Sequence, residues 1–365
     1  MGTPLNVALT GLPLTGKTCL FDALSEGAVD SAASPARPDH PNRASVPLPD
    51  ERLHWLAGLY GAPKRTPIHL EVLDLPGLAP GRADLAAQNT AILEHLRRAD
   101  GLVHVLRAFQ SDRTPHPLGR IDPVADSGLL FSELLISDLD VALRRIEKLK
   151  KQMARPTPDR EAHKKELDLL ERLRQALEAE RPLAEAIRSE TERAMVRGFT
   201  FLTEKPVLMV LNVDEAHAGD PGGAAAKWPA LGRPLVALAA SLEAEIGQLP
   251  ADDRPAFIQE MGLKRFHTPD VLRGIHQALD RMTVFTCGPN EVTARSLPRG
   301  STALDVAADV HTDMASGFIR AEVIRFDHLK AAGSLKDARA AGHYRVEGRD
   351  FIVQDGDILH IHFSH

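Results

Sequence analysis

The segment Gly11-Leu12-Pro13-Leu14-Thr15-Gly16-Lys17-Thr18 satisfies the spacing G-x-x-x-x-G-K-[ST] in full, the pattern of a loop that grips phosphate. Its glycines let the main chain curl so that successive N–H groups point at phosphate oxygens, and the helix that follows adds its positive end. Lys17 neutralises charge on the outer phosphates, while the Thr18 hydroxyl can ligate magnesium. Asp74-Leu75-Pro76-Gly77 then supplies an acid to hold the metal, usually through water, and a glycine N–H to face the terminal phosphate. The next residue, Leu78, stands where many GTPases carry the glutamine that orients attacking water. An apolar side chain cannot do that.

Base selection falls to Asn212-Val213-Asp214-Glu215, which stands in place of the Asn-Lys-x-Asp of guanine-specific proteins. That aspartate accepts two hydrogen bonds from the guanine edge. Glu215 is one methylene longer and would crowd or miss that edge, which favours adenine. The alternative is that Asp214, or a shifted loop, still reads guanine.

These residues need a strand and a helix around each loop. Val7-Ala8-Leu9 reads as a buried strand before the phosphate loop, and Thr18 to Leu24 as the helix after it. Apolar runs at Leu5 to Leu9, Ile68 to Leu73 and Gly101 to Leu106, alternating with helical segments, give the βαβ rhythm of a parallel sheet. Between Asp30 and Pro49 the chain lacks periodicity and is rich in Pro, Ser, Ala and Asp, which predicts a long loop.

From about Ser132 the pattern turns helical. Leu139, Leu143, Ile146, Leu149 and Met153 recur at intervals of three and four, as do Leu170, Leu173 and Leu177. Pro156-Thr157-Pro158-Asp159 interrupts them and predicts an antiparallel helical hairpin. Its charges, among them Arg144, Arg145, Lys148, Lys150 and Lys151, form either a solvated face or an arm that touches a large anionic partner such as RNA. The α/β rhythm resumes at Pro206 to Leu211 and Leu235 to Ala239, so the arm is an insertion. After Met282, short strand-like pieces separated by Gly and Asp predict a small β-rich domain. The division is therefore 1–131 with 199–281 for nucleotide binding, 132–198 for the hairpin, and 282–365 for the last domain.

Composition excludes several classes. With 365 residues, 43% hydrophobic and 26% charged, the chain reads as soluble and globular. No apolar stretch approaches the roughly 20 residues that span a bilayer, and no signal peptide is evident, so a cytoplasmic address with no membrane partner is expected. Cys19 and Cys287 lie far apart and predict neither a disulfide framework nor a zinc site. A net charge of −6 argues against a protein that coats nucleic acid, and no DNA partner is expected.

Taken together, these motifs resemble the YchF, or Obg-like ATPase, family. The resemblance runs through Gly11-Leu12-Pro13, Asp74 to Leu78, Val103 to Phe109 and Lys205 to Leu208. It continues through Asn212 to Glu215, Glu243 to Ile246, His311 to Ile324, and Glu347 to Asp357. It implies an α/β P-loop NTPase domain with a parallel-rich sheet, interrupted by the hairpin and closed by a TGS-like β-grasp domain. It further implies binding of ATP, with GTP less favoured, slow hydrolysis to ADP and phosphate with Mg2+, and the ribosome as partner.

Carried onto this chain, the resemblance implies a nucleotide-binding set of Gly11, Leu14, Thr15, Gly16, Lys17, Thr18, Cys19, Asn212, Val213, Glu215 and Ser241. Thr18 and Asp74 would serve the metal. The catalytic set would be Lys17, Gly77 and His116, the last positioning or deprotonating water from the loop Thr114 to Arg120. Two departures stand out. The family's Thr-Ile-Glu-Pro-Asn first switch is Pro38-Asp39-His40-Pro41-Asn42 here, without the hydroxyl, for which Asp39 could substitute. Its glycine-rich mobile loop after Gly77 is Arg82 to Asn89, which predicts a stiffer helical segment.

Overall fold

This computed structural model describes residues 4–29, 31, 35–154, 159–231 and 234–364. In chain order the elements begin with β1 (Leu5–Thr10), α1 (Lys17–Ser25), β2 (Asn42–Pro47), α2 (Glu51–Tyr60), β3 (Lys64–Thr66) and β4 (His69–Asp74). There follow α3 (Ala86–Arg98), β5 (Gly101–Ala108), α4 (Pro123–Met153), α5 (Arg160–Glu178), β6 (Val207–Val213) and β7 (Leu235–Leu238). The last strands are β8 (Arg281–Cys287), β9 (Glu291–Pro298), β10 (Phe318–Arg325), β11 (Arg345–Glu347) and β12 (Asp357–Phe363).

The chain divides into two compact units, one of residues 6–44 and 72–268, the other of 1–5, 45–71 and 269–365. The first is built on a sheet of order β2-β4-β1-β5-β6-β7, in which β1, β5, β6 and β7 run parallel. Every residue of β6, and all of β5 except Ala108, is buried. That is the signature of central strands covered on both faces, and their Val- and Leu-rich runs supply it. The parallel α/β fold expected from the sequence is therefore present. Loops at the carboxyl ends of these strands are where such sheets hold ligands.

Within this unit α4 packs on α5 around Ala142, Ile146, Leu149, Leu170, Leu173 and Leu177; of the α4 row read from the sequence Ile146 and Leu149 are in this core, Leu139 packs against it, and Leu143 is exposed instead, its place taken by Ala142. Helix α4 starts at Pro123, N-capped by Asp122, nine residues before the predicted insertion at 132. The turn expected at Pro156 to Pro158 lies outside the described residues. Four of the five basic residues singled out on the arm are ion-paired: Arg144 with Asp140, Arg145 with Glu166, Lys150 with Glu171 and Lys151 with Glu147. The arm is thus a charge-balanced surface more than a free cationic one.

Asp138 anchors the arm's base. Fully buried, it accepts from Leu202 N–H at 2.9 Å, Thr203 N–H at 2.8 Å and the Thr203 hydroxyl at 2.9 Å, and pairs with Arg97 at 2.9 Å.

The second unit is a mixed sheet of order β11-β10-β12-β8-β9-β3. Its hairpin β8/β9 is antiparallel, β12 lies parallel to β8, and β10 antiparallel to β12. The helix Ala303–Val310 opens on a full capping box of Thr302 and Asp305 and buries Val306 and Ala307 against Val284, Ala321 and Leu359. This is the β-grasp arrangement anticipated for the C-terminal region.

Its composition includes a segment from earlier in the chain. The segment between β2 and β4 belongs here, because β3 pairs in parallel with β9 (Lys64 opposite Glu291, Thr66 opposite Thr293). Helix α2 belongs here too: Arg52 bridges Asp50 and Asp355 at 2.8 and 2.7 Å, and the Trp55 ring meets Phe326 edge-on at 5.4 Å. The compact unit takes in the chain from 269 onward. Pairing between segments so far apart leaves no local periodicity to read.

Asp138→Ala removes one side of a buried pair and leaves two main-chain donors unmatched. It is expected to lower stability by about 3 kcal/mol in urea unfolding, followed by circular dichroism.

Candidate functional site

Between β1 and α1 the chain bends sharply. Leu14 takes a left-handed φ of 62°, Gly16 one of 88°. At Gly16 a Cβ would lie 2.1 Å from Nδ2 of Asn212, and at Gly11 one would lie 2.5 Å from the Val105 carbonyl oxygen. Both glycines are therefore required by close approach, and Gly16 by its backbone angle as well. Helix α1 has neither a side-chain cap nor an acid in its first turn. Its leading N–H groups are left for an anion.

The bend is held from within and from behind. The Thr15 hydroxyl donates to the Leu12 carbonyl at 3.1 Å, and the Lys17 ammonium folds back onto the same oxygen at 2.9 Å. Asn212, at the end of β6, donates from Nδ2 to the Thr15 carbonyl at 3.0 Å and accepts at Oδ1 from the Ala240 N–H at 2.9 Å. It thus caps the helix Ala240–Gln248 and braces the phosphate loop with one amide.

Above the loop lies a cavity of about 950 Å³. Leu14, Gly16, Lys17, Thr18, Cys19, Gly77, Asn212, Val213, Glu215 and Ser241 line it, so most of the predicted nucleotide set converges. Gly11, Thr15 and Asp74 are not on its wall. Gly11 and Thr15 shape the loop from behind, and Asp74 is fully buried, taking a hydrogen bond on Oδ2 from the Thr18 hydroxyl at 3.0 Å.

Charge in this pocket is held against its solvation preference. Burial pulls the Lys17 ammonium down to about 8, partly countered by Asp74. Burial pushes the Asp74 carboxyl up to about 6, opposed by the Thr18 hydrogen bond and the Lys17 charge. Asp74 Oδ1 is buried and makes no close hydrogen bond, with the Asn42 side chain near enough only to help hold the carboxyl's pKa down. An orphaned carboxylate oxygen next to a threonine hydroxyl is a donor set that suits a hard divalent cation such as magnesium.

The segment after Asp74 is pinned. A Cβ on Gly77 would come within 2.4 Å of the Pro13 nitrogen, Leu78 N–H donates to the Gly11 carbonyl at 3.0 Å, and the Asn89 amide clasps Ala79 at both N–H and carbonyl, 3.1 and 2.9 Å. Leu78 itself is in the core, 1% exposed. Residues 83–98 are helical, as their composition predicted. Asp39 is exposed, pairs with His40 at 3.5 Å, and does not line the cavity, so it does not stand in for the missing switch hydroxyl here.

At the base-side loop Asp214 commits Oδ1 to the His217 N–H at 3.1 Å and the His217 ring at 2.6 Å. The Glu215 carboxylate has no hydrogen-bond partner among the described residues, and the residue lines the cavity. His116 is not on the cavity wall. Its Nδ1 accepts from the Leu118 N–H at 3.1 Å, which leaves Nε2 to donate to Asp126 at 2.9 Å. Neither ring nitrogen has a lone pair available for water in this arrangement.

Sequence reasoning gave no nucleotide role to the segment Phe109–Thr114, of which it had quoted only the two ends, yet five of its residues line the cavity. The available signal was Arg107, a permanent charge inside a buried strand whose other residues are apolar apart from His104.

Comparison with known proteins agrees with this geometry. A family model described as "50S ribosome-binding GTPase" matches residues 6–127, and YchF-GTPase_C, described as "Protein of unknown function (DUF933)", matches 282–364. The Ribosome-binding ATPase YchF of Bacillus subtilis is 32% identical over 99% of both chains. The chain belongs to the YchF/Obg-like ATPase family. Another relative in that family, Obg-like ATPase 1 of Caenorhabditis elegans, is 30% identical and spans 100% of this chain and 93% of its own. The solved structure of the Schizosaccharomyces pombe YchF GTPase superposes with a TM-score of 0.82 at 26% identity, covering 99% of this chain and 98% of that one.

The two shifted groups set a pH window. A metal-bound phosphate ligand needs Asp74 ionised and Lys17 protonated. Affinity for magnesium nucleotide, measured by calorimetry, should therefore plateau between about pH 6 and 8. It should fall toward tenfold per unit on either side, with Asp74→Asn removing the acid limb.

Proposed function

We propose that this chain binds ATP in preference to GTP, hydrolyses it slowly, and acts as a nucleotide-dependent switch on the ribosome in the cytoplasm. The observation that carries the reading is Glu215 on the cavity wall while Asp214 is tied to His217. A longer carboxylate with no internal partner replaces the one that guanine requires, and a misfit at a bidentate hydrogen-bonding edge is heavily penalised. The names of the curated relatives support ATP and the ribosome. The name of the solved relative speaks of GTP, so the choice of base is the point to test.

The chemistry follows from the residues in place. The phosphate chain enters the bend from Gly11 to Thr18, where main-chain N–H groups and the end of α1 receive its oxygens. Lys17 exchanges the Leu12 carbonyl for phosphate oxygen, and the incoming negative charge restores its proton affinity. A magnesium ion held by Thr18 and Asp74 would neutralise charge on the outer phosphates. The Gly77 N–H is the donor for the terminal phosphate, and water attacks in line from beyond it. His116 is the candidate to orient that water, and to do so it must leave Asp126 and Leu118. With Leu78 in the core and the 77–79 segment pinned, both requirements slow turnover more than binding.

The expected outcome is that ATP binds at least tenfold tighter than GTP in calorimetry and that Glu215→Asp narrows the gap. GTP outcompeting ATP would reverse the assignment.

Single-turnover phosphate release should fall about tenfold in His116→Ala with ATP affinity unchanged. A wild-type rate equal to background, indifferent to that substitution, identifies a binding module instead. Co-sedimentation with ribosomes should weaken as salt rises.

A further inference from the structure

The strand β5 carries a cation that the chemistry above does not use. Arg107 is 1% exposed, and among the described residues no carboxylate lies within ion-pair distance of it. Its guanidinium is satisfied by three main-chain oxygens. Nε donates to the Phe109 carbonyl at 3.1 Å, Nη1 to the Leu14 carbonyl at 3.1 Å, and Nη2 to the Thr114 carbonyl at 2.6 Å. The group also lies over the Phe109 ring, 4.2 Å from its centre.

A buried charge compensated only by dipoles is an unfavourable way to fill a strand end, and a hydrophobic residue would pack there without that penalty. The register shows what the charge achieves. Arg107 pairs with Asn212 across β5 and β6, and the two side chains hold consecutive carbonyls of the phosphate loop, Leu14 and Thr15. Asn212 ties its carbonyl to the helix that begins at Ala240. Arg107 ties its own to both ends of Phe109–Thr114, which forms cavity wall. A planar fork with fixed donor directions can do this; a flexible ammonium cannot.

We propose that Arg107 is a positioning residue for the nucleoside end of the site: it fixes the strained Leu14 and the Phe109–Thr114 wall in one arrangement before nucleotide arrives. The phosphate nest has braces of its own in Thr15, Lys17, Asn212 and the Gly77 contact, so loss of Arg107 falls on the nucleoside and spares the phosphates. This rests on the reading of the cavity as a purine nucleotide site.

The test compares wild type, Arg107→Lys and Arg107→Gln by calorimetry with magnesium and ATP, GTP or inorganic tripolyphosphate, with thermal melts alongside. Both variants are expected to lose at least tenfold in ATP affinity while tripolyphosphate changes less than twofold, and lysine is expected not to rescue. Equal weakening of ATP and tripolyphosphate, unchanged ATP affinity, or full rescue by lysine overturns the proposal. If Arg107→Gln does not fold, Arg107→Lys decides; failure of both to fold also overturns it, because the residue is then purely structural. Should wild type prefer GTP, the adenine assignment fails by itself, and the Arg107 comparison is made with GTP against tripolyphosphate.

Discussion

A peptide group is a rigid plane with its N–H and C=O pointing opposite ways, so whatever holds the carbonyl backward aims the N–H forward. That constraint governs the amino-terminal loop. The carbonyls of Leu12 and Thr15 are drawn down by Lys17 and Asn212 behind the phosphate nest, that of Leu14 is held by Arg107 on the side of the Phe109–Thr114 wall, and the remaining polar face of the bend is presented to the cavity. Each tether is worth on the order of 1 kcal/mol net, but they act on adjacent peptides and so reinforce a conformation that Leu14 alone would avoid.

The ionisable groups of the site are held differently. At neutral pH Asp74 is ionised although burial raises its pKa to about 6, and Lys17 is charged although burial lowers its own to about 8. By linkage both disfavour the folded state. A raised carboxyl pKa removes stability as pH climbs from the ordinary value of 3.8 toward 6, and a lowered ammonium pKa restores it only between about 8 and 10.5. A phosphate chain with its cation supplies the opposite charges, so part of the binding free energy is relief of this strain. The chain folds around groups that are uncomfortable until the ligand arrives.

What was legible in the sequence was local. The phosphate loop, Asp74 at a strand end, and the helical rows of the arm all rest on spacings of a few residues, and the structure follows them. Asn212 was found for the right loop but for an incomplete reason, because its amide serves as a brace and a helix cap. The roles of Arg107 and of Asp126 were hidden for another reason. Their partners are carbonyls or side chains chosen by tertiary geometry, and any residue supplies a carbonyl, so no residue type announces them. The basic arm shows the converse: its charges were visible, but the acids that neutralise Arg145 and Lys150 lie on the other helix.

The second unit takes residues 45–71 from between the two segments of the nucleotide-binding unit and most of the rest from after it. A nascent chain therefore releases α2 and β3 early, while β9, their counterpart, emerges only after nearly everything else has been made. Contacts of such sequence separation form late and slowly. Until then an apolar helix face and an open strand edge are on offer to chaperones, or to the matching segment of a neighbouring copy. Exchange of this early segment between two molecules is the misassembly to which this topology is predisposed.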